Sequence, residues 1–195
     1  MDIIKFLRRK QTLYWIFETL RKPLYWIYLK RRYVKFSKIK LFGKPFVLNR
    51  GIISIGENTK VVSSKYYYGE DLPQVSFNAI EEDSIIDIGS NCTLYGTSFR
   101  CVKRIKVGND VVFASGCKVV DHDHFFEVER RGISSFPAKE IIIGNNVWCG
   151  FNVIILKGVK IGDNSIIGAG SVVTKDIPAN VIAAGMPAKV IKKIK

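Results

Sequence analysis

The sequence predicts an all-β protein, a parallel β-helix with an appended N-terminal helical segment, and three observations carry that expectation. A six-residue repeat keeps one phase over a long stretch, its first and fifth positions are apolar or small, and Gly, Asn and Asp recur between them. Cut from Ile143, the repeat reads IGNNVW, CGFNVI, ILKGVK, IGDNSI, IGAGSV, VTKDIP, ANVIAA and GMPAKV, and earlier copies start at Ile55, Ile88, Leu94, Val107 and Phe113. Six residues are too few for a strand–turn–helix unit. They suit one short strand and one corner, so three units close a triangular coil of about 18 residues. The aliphatic first positions then stack along the coil axis, while Gly, Asn and Asp take corners that need tight or left-handed backbone. A single coil cannot bury its own apolar edge, so stability has to come from stacked neighbours.

Ahead of the repeat, residues 2–36 read as helical and aromatic, with Pro23 expected to break the run into two short helices. From Ile39 to Leu48 short β-like runs with Gly43 and Pro45 follow. The expected division is therefore a basic aromatic helical segment over residues 1–45 and the β-helix over residues 46–195. Two stretches lose the six-residue phase. One is residues 63–84, with Tyr66, Tyr67 and Tyr68; the other is residues 121–140, which separates two well-phased blocks. An ordered repeat that tolerates a long excursion usually places function there.

Charge divides the chain in the same place. Residues 1–50 carry 14 Lys and Arg against Asp2 and Glu18, whereas residues 51–195 carry 17 basic and 15 acidic side chains. The net charge of +14 is thus a property of the N-terminal segment, not of a nucleic-acid-binding surface spread over the fold, and no nucleic-acid partner is expected. Trp and Tyr bordered by Lys and Arg is the composition of an element lying in a membrane interface, so peripheral membrane contact through residues 1–36 is an expectation, against the plainer one of a helical hairpin packed on its own domain. Uncharged stretches of 7 residues, Gln11–Phe17 and Pro23–Leu29, are too short to span a bilayer. With no secretory signal evident, a cytoplasmic setting is expected, peripheral at the inner face of the cell membrane. Cys92, Cys101, Cys117 and Cys149 form no CxxC pair and read as small buried hydrophobes.

The two histidines of the chain, His122 and His124, both stand at the start of the second excursion, flanked by Asp121 and Asp123. A carboxylate beside an imidazole holds one tautomer and stabilises the cation that forms when the ring accepts a proton. That pairing suits a general base acting on a hydroxyl or an amine.

The motifs NNVWCG, IGAGSVVTKDIP and AAGMPAKVI closely resemble those of galactoside and maltose acetyltransferases and polysaccharide O-acetyltransferases, within the hexapeptide-repeat acyltransferase superfamily. The resemblance covers residues 86–195 well, 50–85 weakly and 1–49 not at all. It implies a left-handed coil, a homotrimer with its sites between subunits, and acetyl-CoA as cosubstrate, without metal. It implies direct transfer to a sugar hydroxyl by a His base: His124 on an ungapped count, His122 if a short gap is allowed, with Asp121 orienting. It places Trp148 and Asp123 at the acceptor and the amide of Phe151 near the thioester; the family usually has a small residue where Phe151 stands. It assigns coenzyme A contacts to Gly168, Ala169, Thr174 and Lys175, and the nucleotide phosphates to Lys189 and Lys192.

Other classes fit less well. A γ-class carbonic anhydrase needs three His for zinc, and only two are present. A serine acetyltransferase would carry a larger helical N-terminal domain. An amino-sugar N-acetyltransferase is the nearest enzymatic alternative, because nothing in the repeats separates hydroxyl from amine acceptors. A β-helical scaffold that binds membrane or nucleic acid is the non-enzymatic one. Within the favoured class, the interfacial N-terminus points to surface-polysaccharide or lipid-linked glycan synthesis.

Overall fold

The computed structural model describes residues 20–63, 73–123 and 137–194. His124, the expected helix before residue 20, Tyr66 to Tyr68 and the interior of the second excursion lie outside these residues.

The described chain winds into six coils of three short strands. The first is β1 (Val34–Phe36), β2 (Lys40–Phe42) and β3 (Phe46–Asn49); the second β4 (Ile52–Ile55), β5 (Lys60–Val62) and β6 (Ser76–Ala79). The third is β7 (Ile85–Ile88), β8 (Thr93–Tyr95) and β9 (Ser98–Cys101); the fourth β10 (Arg104–Val107), β11 (Val112–Phe113) and β12 (Lys118–Val120). The fifth is β13 (Ile141–Ile143), β14 (Trp148–Cys149) and β15 (Ile154–Leu156); the sixth β16 (Lys160–Ile161), β17 (Ile166–Ile167) and β18 (Val172–Val173). Strands one coil apart pair in parallel, which makes three sheets, the faces of a triangular left-handed β-helix. We call them the first, second and third faces, after β1, β2 and β3.

The core is three ladders of inward side chains, one per face. On the first face Ile55, Ile88, Val107, Ile143 and Ile161 follow one another in register. The second stacks Leu41, Val61, Leu94, Phe113, Cys149, Ile167 and Ala183, and the third Val47, Phe77, Phe99, Val119, Ile155 and Val173. All are buried. The first six of the first positions read from Ile143, ending at Val173, are these ladder residues, taken from successive faces. All four cysteines are buried and unbridged, as expected of small core side chains. Burial pushes their thiols up, that of Cys117 to about 11; that of Cys149 is raised by burial and by the neighbouring Cys117.

Corners explain the Asn and Gly pattern. Between the first and second faces, Asn58, Asn91, Asp110, Asn146, Asn164 and Asn180 all take left-handed backbone, with φ between 52° and 59°. Asn tolerates that region better than other residues with a Cβ. Their side chains also bond between coils: Asn146 Nδ2 donates to Asn164 Oδ1 and Asn164 Nδ2 to Asn180 Oδ1, each at 3.0 Å.

Two expectations are corrected at the N-terminal end. The coils begin at Val34, ahead of the expected boundary at residue 46, because β1 and β2 already pair with β4 and β5. Residues 20–31 form a helix that runs through Pro23, which lies near its described start, so the chain does not break there. Of the rest of residues 2–36, Val34–Phe36 is strand. The helix packs across the open end of the first coil. Trp26 meets Phe36 edge to face at 5.5 Å, Lys22 lies over Phe42, and Tyr28 Oη accepts from Val47 N at 3.2 Å. Those contacts touch all three faces. At the other end β19 (Val181–Gly185) pairs with β17, and β20 (Ala188–Lys193) folds back antiparallel on it.

Candidate active site

The second excursion leaves the fold at the corner between β12 on the third face and β13 on the first. Its two ends are tied together: His122 and Ala138 form an antiparallel bridge, and Asp123 N donates to the carbonyl of Pro137 at 3.3 Å. Lys139 N donates to Asp121 O at 2.9 Å. The loop therefore has a fixed neck.

Asp121 is the centre of that neck and is fully buried. Its carboxylate lies under the corresponding corner of the coil below. Oδ1 accepts from Val102 N at 2.8 Å, and Oδ2 from Lys103 N at 2.7 Å, Arg104 N at 2.9 Å and the Cys101 thiol at 3.3 Å. His122 Nδ1 stands 3.1 Å from Oδ1. Burial alone would push the carboxyl up, but His122, the Val102 and Lys103 amides and Cys101 hold it below its ordinary value. The ionised carboxylate can only accept, so Nδ1 of His122 carries the donated proton and the basic lone pair falls on Nε2. The imidazole is itself buried, 4% exposed, so its position is set by packing as well as by this bond. An imidazole held in one tautomer by a buried anion presents the geometry that proton transfer at Nε2 requires.

The other sequence candidates fall at different places. Asp123 is ion-paired with Lys157, which follows β15 at the same corner one coil further on. Thr174 and Lys175 follow β18 at that corner, two coils beyond the neck, and both are exposed. Phe151, Gly168 and Ala169 lie on the corner between the second and third faces. There Gly170 N donates to Phe151 O at 2.7 Å, and a Cβ on Gly150 would come within 2.7 Å of Ala169 N. At Gly150 the coils approach so closely that a Cβ does not fit. The amides of Gly150 and Asn152, on either side of Phe151, donate to Ile167 and Ser115. Trp148 projects from the second face, half exposed, and Lys189 and Lys192 are exposed on β20. The structure thus brings Asp121, His122 and Asp123 together and gathers Phe151, Gly168 and Ala169 in a second group. It does not unite the two groups within one chain, because they stand on two different corners with the third face between them.

Sequence reasoning missed Lys157, Cys101 and the amides of residues 102–104. One signal could have found the amides: Asp121 follows Lys103 by one 18-residue coil.

Residues 140–175 match the family described as bacterial transferase hexapeptide (six repeats). Over 93 residues the chain is 50% identical to galactoside O-acetyltransferase of Escherichia coli (strain K12), covering 46% of this chain and 44% of that one. It is 31% identical over 159 residues to WbbJ of the same organism, a candidate lipopolysaccharide biosynthesis O-acetyl transferase, covering 76% of this chain and 75% of that one. Among solved structures, a galactoside acetyltransferase in complex with coenzyme A superposes with a TM-score of 0.52 at 31% identity, covering 82% of this chain and 66% of the other. The chain spans about half the length of several curated relatives it matches. The six-residue ladder, carried through six coils and shared with a relative over three quarters of both chains, makes this protein a member of the bacterial hexapeptide-repeat transferase family.

Proposed function

We propose that the protein is an acetyl-CoA-dependent O-acetyltransferase acting on a sugar hydroxyl, in surface-polysaccharide or lipid-linked glycan synthesis, and that His122 held by Asp121 is its general base. The observation that carries this reading is the buried Asp121–His122 pair at the neck of the second excursion, between two regular coil blocks. His122 Nε2 accepts the acceptor's hydroxyl proton as the oxygen attacks the thioester carbonyl. The new C–O bond forms, the C–S bond breaks, and the thiol of coenzyme A leaves with the proton from the imidazolium. The amide of Phe151 stabilises the charge on the carbonyl oxygen. His124 is the second candidate for the base.

Small residues at Gly168 and Ala169 fit the close approach of a pantetheine arm to the coil backbone. Thr174 and Lys175 extend that path, and Lys189 and Lys192 supply cations for the nucleotide phosphates. Trp148 and Asp123 serve the acceptor, Asp123 while paired with Lys157. Since the neck and the Phe151 corner do not meet within one chain, the complete site needs two copies, as a trimer with sites between subunits supplies. The catalyst works in the cytoplasm, at the inner face of the membrane where lipid-linked acceptors are made.

Mass spectrometry of candidate glycan acceptors incubated with acetyl-CoA tests the reaction. An added acetyl group labile to mild base supports the reading, and a base-stable acetamide overturns it in favour of an amine acceptor.

A further inference from the structure

The end of the β-helix that carries the helix has a charge unlike the rest. From residue 20 to residue 56 there are 10 Lys and Arg and no acid; Glu57 is the first. The helix over residues 20–31 has apolar side chains on two opposite sides. Leu29 is buried and Tyr25, Trp26 and Tyr28 pack against the core. On the other side Leu20, Leu24 and Ile27, spaced to share one face, are 68%, 61% and 49% exposed. Arg21, Lys30 and Arg31 border this stripe and are exposed as well. Tyr33, just beyond the helix, and Phe46 and Leu48 on β3 add exposed apolar surface at the same end.

An outward apolar stripe edged by cations is the pattern of a helix that lies in the plane of a bilayer interface, its apolar side chains below the headgroups and its cations at the lipid phosphates. Charge selects the occupant. An anionic lipid surface is complementary to all 10 cations, and its potential extends over about a Debye length to those set back on the first coil. We propose that this end of the β-helix docks on an anionic lipid surface through the helix, with Leu20, Leu24 and Ile27 inserted and Arg21, Lys30 and Arg31 at the headgroups. Asp121 and His122 follow the fourth coil, about 14 Å from the first at the usual strand spacing, so docking leaves the neck in solution. The proposal gives a physical form to the membrane setting proposed for the acceptor. It does not depend on acetyl transfer.

The test uses the full chain and vesicles of phosphatidylcholine, with and without phosphatidylglycerol. Co-sedimentation with the anionic vesicles alone is expected, and the double variant Leu24→Glu with Ile27→Glu should weaken partitioning about tenfold or more. The variant should keep its native mass, its thermal transition and its binding of acetyl-CoA. Unchanged partitioning of the variant would overturn the proposal, as would equal binding to neutral vesicles. A changed native mass would show that a second copy covers the stripe, and a lowered thermal transition that the chain itself covers it; either also overturns the proposal. Because binding is read without an acceptor, a failure here leaves the enzymatic reading standing, and the reverse holds.

Discussion

Phe99 and Asp121 are close in the fold and are held by opposite physics. Phe99 lies in the third-face ladder, stacked on Phe77 at 5.5 Å with near-parallel rings and edge to face with Phe113 at 5.5 Å. Its side chain is held by apolar neighbours, and the same arrangement is repeated along the prism. Asp121 is equally buried, yet polar donors from three directions fix it: the corner amides of the coil below, the Cys101 thiol and the next residue's imidazole. The ladder gets its stability from repetition and tolerates exchange of one apolar side chain for another of similar size. The neck depends on one charge in one place. A regular solenoid thus supplies rigidity, and one of the two breaks in its regularity holds the candidate chemistry.

Substitutions can break that contrast or sharpen it. His122→Ala should lower turnover by about 10²–10⁴, the usual worth of a positioned general base, in protein that stays folded, and should cost about 1–3 kcal/mol of stability because one donor to the buried Asp121 is lost. Steady-state kinetics beside a denaturant titration would check it. If His124→Ala produced the large loss and His122→Ala did not, the base would be the other histidine. Phe99→Ala should do the converse, costing about 3–5 kcal/mol of stability by removing a filled rung of the ladder, with kinetic constants preserved wherever the protein stays folded.

Asp121→Asn should cost about 1–3 kcal/mol, because the new amide turns at least one N–H toward donors that need an acceptor. It should also change the response to acid. The Asp121 carboxyl is held below its ordinary value of 3.8 in the folded state. Its contribution is therefore complete above that value and disappears as pH falls through the lower folded one. Wild type should lose this increment only in strong acid, and Asp121→Asn should lose none of it. Denaturant midpoints measured from neutral pH into acid below 3.8 would show whether the two curves begin to converge there, as this linkage requires. The smallest effect is expected at a corner. Asn164→Ala removes both side-chain bonds of the Asn146–Asn164–Asn180 stack and strains a left-handed residue, for about 1 kcal/mol, detectable in a thermal melt.

Legibility in the sequence follows the same division. The ladder residues from Ile143 to Val173 could be read off because a strict period leaves one mark every six residues, and the left-handed corners showed through Asn146, Asn164 and Asn180. The first coil was harder. Phe36, Leu41 and Val47 are ladder residues too, but the corner between the first and second faces uses Lys38 in place of the repeated Asn, at the end of a basic aromatic stretch that reads as helix. At the neck the sequence showed the acidic residues beside His122. It did not show that Asp121 faces inward to the amides of residues 102–104 or that Asp123 pairs with Lys157, since those partners lie 17–19 and 34 residues away and are set by coil stacking rather than by local pattern.

The most direct measurement compares wild type, His122→Ala and Asp121→Asn in acetyl transfer from acetyl-CoA to a sugar acceptor, each preparation first shown to bind acetyl-CoA. Base catalysis by the neck predicts a base-labile acetyl ester with wild type, a loss of about 10²–10⁴ in rate with His122→Ala, and a smaller loss with Asp121→Asn at unchanged acetyl-CoA affinity. Equal rates in all three proteins would contradict it, because the site would then do its chemistry without the one buried carboxylate–imidazole pair that the described fold holds in place.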